Sequence, residues 1–169
     1  MPKSSEKPQA LQVSGFKEYL TNPLLLWYYQ EINKPGSSVS DVDTFYLNFL
    51  KDVFTLRDLF GVEQEARTAS QLGIHKKSDD FTTCSVRDSN GKRVILCENR
   101  QRDEESQTSI WSDALEYAVS YTLVIRLEDS QDSEETLYLT VNIGTHLRFH
   151  ELPGKSSEAR DWAPAAGRC

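Results

Sequence analysis

Two β-forming runs, Phe81–Val86 (FTTCSV) and Arg93–Asn99 (RVILCEN), flank the short stretch RDSNGK, and no other part of the chain constrains the fold as much. Residues such as Thr, Val, Ile and Phe fit a pleated, half-buried surface. Between the runs, Asn90-Gly91 supplies the positive φ angles that a tight reversal needs. The sequence therefore predicts a β-hairpin, with its second strand ending in the charged stretch ILCENR.

Helical spacing surrounds this hairpin. Pro23 suits the first turn of a helix running to Ile32. Lys34–Ser40 reads as a loop, and Ser40 followed by Asp43 resembles a capping box opening a long helix from about Asp41 to Phe60, which Gly61 ends. Val42, Phe45, Tyr46, Phe49, Val53, Leu56 and Phe60 form its apolar stripe. Val62–Ser78 has no clear period. After a charged loop, Gln101–Ser109, the helical spacing returns over Ile110–Leu127. Leu137, Leu139, Val141 and Ile143 then alternate along a strand, Gly144-Thr145 turns the chain, and His146–Leu152 forms another strand. This order predicts an α/β domain with a central mixed sheet flanked by helices. Residues 1–10 are expected to be disordered, 11–152 to form one domain, and 153–169 to be a flexible tail.

Strand alternation gives ILCENR its chemical interest. Glu98 and Arg100 point the same way, together with Val94 and Leu96. Asp79 and Asp80 precede the first hairpin strand, so Asp80 is expected to lie near Glu98 at the end of its partner. Two converging carboxylates can hold a divalent ion through hard oxygen ligands. A cation beyond them can position water or stabilise phosphate charge.

An acid opening one strand, a hairpin turn and an acid-x-base at the end of the next resembles the PD-(D/E)xK nuclease superfamily, the restriction-endonuclease-like fold. The matching residues are Asp80, Glu98 and Arg100, with 17 residues between the two acids. The resemblance runs from about Asp41 to Leu152, through the helix IWSDALEYAVSY and the strand-turn-strand LYLTVNIGTHLRFHEL. It implies a metal-dependent nuclease in which Asp80 and Glu98 ligate Mg²⁺ or Mn²⁺ and Arg100 orients water or stabilises the phosphate. It also implies an early helical acid, for which Asp52, Asp58, Glu63 and Glu65 are candidates. The sequence departs from the pattern at three places. Asp79 replaces the Pro, Arg100 replaces the Lys, and Glu116 stands where the following helix often carries Gln. Because Arg stays protonated at any usable pH, Arg100 cannot serve as a base. The competing expectation is a non-catalytic interaction module on the same fold, binding a protein partner through the sheet edge or the aromatic stretch LLLWYYQ (Leu24–Gln30).

Composition limits the partners. A net charge of −7 argues against broad attraction to nucleic acid, leaving a local basic patch of Lys76, Lys77, Arg87, Lys92, Arg93, Arg100 and Arg102 as the expected route. No apolar run approaches membrane-spanning length, and the N-terminal stretch MPKSSEKPQA has no apolar core of a secretory signal. Cys84, Cys97 and Cys169 form no Cys-x-x-Cys pair, and the first two fall in apolar runs, so a reduced intracellular setting, cytoplasmic or nuclear, is expected. His146 and His150, on the strand face opposite Leu147 and Phe149, are expected to face solvent.

Overall fold

The computed structural model describes residues 20–67, 81–129 and 134–162. Among these are three α-helices, α1 (Pro23–Ile32), α2 (Val39–Val53) and α3 (Thr108–Glu128), and six strands, β1 (Gly61–Arg67), β2 (Phe81–Arg87), β3 (Arg93–Arg100), β4 (Leu137–Ile143), β5 (His146–Leu152) and β6 (Arg160–Asp161). The strands form one sheet in chain order. Every neighbouring pair is antiparallel except β3 and β4, which run parallel. A parallel pair needs a crossover connection, and α3 supplies it. The chain is thus an α/β domain with a mixed sheet.

Pairing registers sort the side chains into two layers. Leu96 lies beside Leu139, and Glu98 beside Val141. Leu96, Leu139 and Leu152 pack against Ala118, Tyr121 and Ile125 of α3, while Val141 and Ile143 meet Trp111 and Ala114. The i, i+3, i+4 spacing read from the sequence is the stripe that α3 buries. On the opposite face, Cys84, Val86 and Cys97 pack with Leu50 of α2. Further along α2, Val42, Phe45 and Tyr46 meet Ile32 of α1.

Several boundaries differ from the sequence expectation. The capping box that opens α2 is Ser38 with Asp41, not Ser40 with Asp43: the Ser38 hydroxyl accepts from the Asp41 N–H, and the Asp41 carboxylate accepts from the Ser38 N–H. Asp43 is thereby left for other use. The same helix stops at Val53 rather than Phe60, because Phe54 is extended and Thr55 caps a separate 3₁₀ turn over Leu56–Asp58. Gly61 begins β1 instead of ending a helix. In the hairpin turn, only Gly91 of the Asn-Gly pair has positive φ (+76°), and Asp88 organises a longer loop by accepting from the N–H groups of Asn90 and Lys92. Beyond Pro153, where a loose tail is expected, Arg160–Asp161 add β6 to the sheet. Arg126 secures that segment, its guanidinium donating to the carbonyls of Glu135, Leu152, Pro153 and Ser156. The β4–β5 register accounts for His150, which lies beside Leu139 on the sheet face that α3 covers. Instead of facing solvent, this side chain is 5% exposed in the residue as a whole, with Nδ1 at 3.1 Å from the Asp161 carboxylate. Burial holds its pKa below the ordinary value. His146 remains exposed.

Candidate functional site at the end of the third strand

Glu98 and Arg100 lie on the α3 face of β3, as strand alternation requires. Glu98 is 4% exposed. Its cross-strand neighbours are Thr83 in β2 and Val141 in β4. Arg100 Nη2 meets Glu98 Oε1 at 2.9 Å, and the guanidinium lies over the Tyr117 ring of α3, 5.1 Å from its centroid. Tyr117, rather than the exposed Glu116, is the α3 side chain that meets Arg100. Burial pushes the Glu98 carboxyl up to about 7; Arg100 opposes this, and the charge of Asp43 reinforces it. A carboxyl so tuned, beside a fixed cation, is the kind of group that sites use for proton or phosphate chemistry.

Asp43 reaches the same strand end from the other face of the sheet. Asn99, between Glu98 and Arg100, points toward α2 and donates from Nδ2 to Asp43 Oδ1 at 2.7 Å. Asn99 Oδ1 in turn accepts from Asn142 Nδ2 of β4 at 2.8 Å. All three side chains are buried, and burial raises the Asp43 pKa to about 6 although the Asn99 bond opposes it. The two parallel strands therefore end in a carboxylate on each face. Of the helical acids expected to join the site, Asp52 is exposed, Asp58 accepts from the Thr55 hydroxyl, and Glu63 pairs with Arg87 at 2.7 Å. Asp43 is the acid that sequence reasoning missed. Its signal was its place on the buried side of the α2 stripe beside Val42 and Tyr46.

Asp80 lies outside the described residues, as do Asp79, His75, Lys76, Lys77 and Cys169. The observed register places Thr83 opposite Glu98. In sequence parity Asp79 goes with Thr83, whereas Asp80 goes with Cys84.

Among the described residues, no group of three or more His, Cys, Asp or Glu side chains is arranged to hold a metal ion. Glu98 offers one hard oxygen ligand group, and Arg100 already engages it. Asp43 approaches from the opposite face through Asn99. This donor set does not by itself fit Mg²⁺ or Mn²⁺, which need several oxygens converging on one point.

Four of the cations expected to form a basic patch, Arg87, Lys92, Arg93 and Arg100, lie against carboxylates. Arg93 is buried against Asp129 and Glu128, at 2.6 and 2.9 Å, Arg87 pairs with Glu63, and Lys92 lies 3.8 Å from Glu135. These carboxylates, with Asp129 shared by Arg93 and Arg87, weaken any field reaching from these cations toward a phosphate backbone. Cys84 and Cys97 are buried, and burial raises both thiols, Cys97 to about 12 and Cys84 further, so neither is a ready nucleophile. No described helix is long and apolar enough to cross a membrane. Comparisons with protein-family models, with curated proteins and with solved structures gave no match.

Proposed function

We propose that this chain is a nuclease-like domain of the restriction-endonuclease type, acting on nucleic-acid phosphodiesters at the strand end formed by Glu98 and Arg100. The observation that carries the reading is the pair of buried Glu98 and half-buried Arg100 on one face of β3, in a strand joined by a hairpin to β2 and by a helical crossover to parallel β4. Arg100 is suited to holding a phosphate oxygen, since a guanidinium binds phosphate strongly and keeps its proton. Glu98, raised to about 7 with Arg100 beside it, is suited to exchanging a proton near neutrality. Mg²⁺ or Mn²⁺ is the cofactor this reading implies. It would need a carboxylate from Asp79 or Asp80 in addition to Glu98.

Calorimetric titration of Mn²⁺ into the intact chain tests this, with the double variants Asp80→Ala/Glu98→Ala and Asp79→Ala/Glu98→Ala in parallel. Binding by the intact chain that at least one double variant loses, together with Mn²⁺-dependent cleavage of DNA or RNA, is the expected result. Equal binding by all three proteins, or by none, removes the basis for a nuclease.

A second reading, a non-catalytic module that binds a protein, is supported by a different observation. Leu24 and Trp27 of α1 are 55% and 52% exposed, and Leu26 is exposed beside them. Exposed large apolar side chains on one short helix are candidates for an interaction site.

A further inference from the structure

The exposed side of α1 borders a pocket. Trp27 and the adjacent Tyr28 lie one helical turn before Glu31 on α1, while Asp41 and Thr44 lie three apart at the start of α2. Where the two helices meet, these five residues line a shallow pocket of about 120 Å³. The Trp27 and Tyr28 rings stand edge to face with centroids 5.1 Å apart. Tyr28 also packs on the cluster of Ile32, Val42, Phe45 and Tyr46, which fixes one wall. Aromatic rings and carboxylates around one hollow attract a cation twice, through the ring quadrupole and through charge.

The pocket already shows how an ammonium is held at its rim. Lys34 donates to both carboxylate oxygens of Glu31, at 2.6 and 2.7 Å. Lys34 lies just past the C-cap of α1, and a pair this open to solvent contributes little to stability and is readily exchanged. Asp41 is exposed; its Oδ2 serves the Ser38 cap and holds the carboxylate at the pocket mouth. A half-buried acid, Glu31, an exposed one, Asp41, and a protruding indole therefore meet at this hollow, on a chain whose net charge is −7. A polyanion would be repelled here, whereas a basic segment would be drawn in.

We infer that the Trp27–Glu31–Asp41 pocket binds a lysine or arginine side chain presented by a basic segment of a protein partner. The apolar stems of Lys and Arg would lie along Trp27 and Leu24, with the charged head between Glu31 and Asp41. This rests on the interaction reading and not on any chemistry at Glu98, so its failure leaves the Mn²⁺ test untouched.

Fluorescence titration of the full chain with a short peptide of alternating lysine and serine tests it, using the same peptide with acetylated lysines as the control. Saturable binding of the charged peptide is expected, at least about tenfold tighter than the acetylated one. Trp27→Ala, followed by calorimetry, should weaken binding about tenfold, and Glu31→Gln several-fold. Lys34→Ala should tighten binding by about two- to threefold, because it removes an intramolecular competitor for Glu31. Trp162→Ala, on the far edge of the sheet, should change nothing, and far-ultraviolet circular dichroism confirms that each variant is folded. Equal binding of the acetylated peptide overturns the proposal, as does an unchanged affinity in folded Glu31→Gln and Lys34→Ala. Concentration-dependent self-association abolished by Trp27→Ala would assign the pocket to a second copy of the chain and overturn it as well.

Discussion

Arg100 Nη2 lies 2.9 Å from Glu98 Oε1, two positions back along the same strand and beneath α3. One carboxylate is thus taken out of water against one guanidinium, and the attraction only partly offsets the loss of hydration. Glu98 remains raised to about 7 with Arg100 beside it because burial is the larger effect.

A pH dependence follows. A carboxyl whose folded-state pKa is raised binds its proton more tightly folded than unfolded. Its contribution is therefore full below the ordinary value of 4.5 and is lost as pH rises through about 7. Asp43, raised from 3.8 to about 6, acts in the same direction over a lower range. Stability is predicted to fall between about pH 4.5 and pH 7, with a Glu98 share on the order of 3 kcal/mol. Urea unfolding at the two ends of this window measures it. Glu98→Gln should flatten the difference, and a variant with an unaltered slope would contradict the assignment.

Arg93 carries a structural prediction. Its guanidinium donates to both oxygens of Asp129 and to Glu128, and its backbone N–H also donates to Asp129. These bonds tie the start of β3 to the C-terminal end of α3. Removing one partner of a buried pair leaves the other charge without compensation, so Arg93→Met should destabilise the fold by about 3–5 kcal/mol. Replacing Arg93 and Asp129 together with apolar residues should recover much of that loss. Denaturant midpoints for the two single variants and the double variant form the cycle that checks it.

The hairpin, the two long helices and the alternation of β3 and β4 were legible because each depends on spacing within a few residues. What escaped the sequence depends on distant partners. β1 reads GVEQEAR, and its run of polar residues hides an edge strand whose pairing with β2 is visible only in three dimensions. The apolar stripe of α2 continues in sequence through Leu56 and Phe60, yet Phe60 lies past the 3₁₀ turn, just before β1, and packs edge to face on Phe54 at 5.4 Å. His150 is buried because pairing with Leu139 sets it on the sheet face that α3 covers. Of the candidate site, the shared face of Glu98 and Arg100 came from alternation alone. Asp43 did not, since its partner Asn99 is 56 positions away.

Asn99 links the two faces of the site, which gives it a measurable role. Asn99→Ala removes the donor to Asp43 Oδ1 and leaves a carboxyl that is 5% exposed without that bond. A loss of about 1–3 kcal/mol is expected at pH 7.5, shrinking toward pH 5 as Asp43 takes up a proton. The Asn99 bond lowers the Asp43 pKa, so its removal should move that titration above 6. Chemical-shift titration of the Asp43 carboxyl reads the change directly. A loss of stability equal at both pH values would point to packing around Cys84 instead.

Gly144 controls the loop that follows the site. Its φ is +55°, and its N–H donates to the Arg100 carbonyl at 3.1 Å. A Cβ there would come within 2.7 Å of Arg102 Cα and would also strike the Glu105 side chain. Glu105 accepts from the Thr145 N–H at 2.9 Å, and its carbonyl accepts from Trp111 Nε1 at 3.0 Å. The turn between β4 and β5, the end of β3 and the start of α3 therefore share one close contact, which only glycine permits. Gly144→Ala combines an unfavourable backbone with that collision and should destabilise the fold by about 1–3 kcal/mol. The collision displaces the backbone just after Arg100, so amide exchange at Arg100–Glu105 should quicken more than at β1. An alanine variant with unchanged stability and unchanged exchange would show that the loop can move aside.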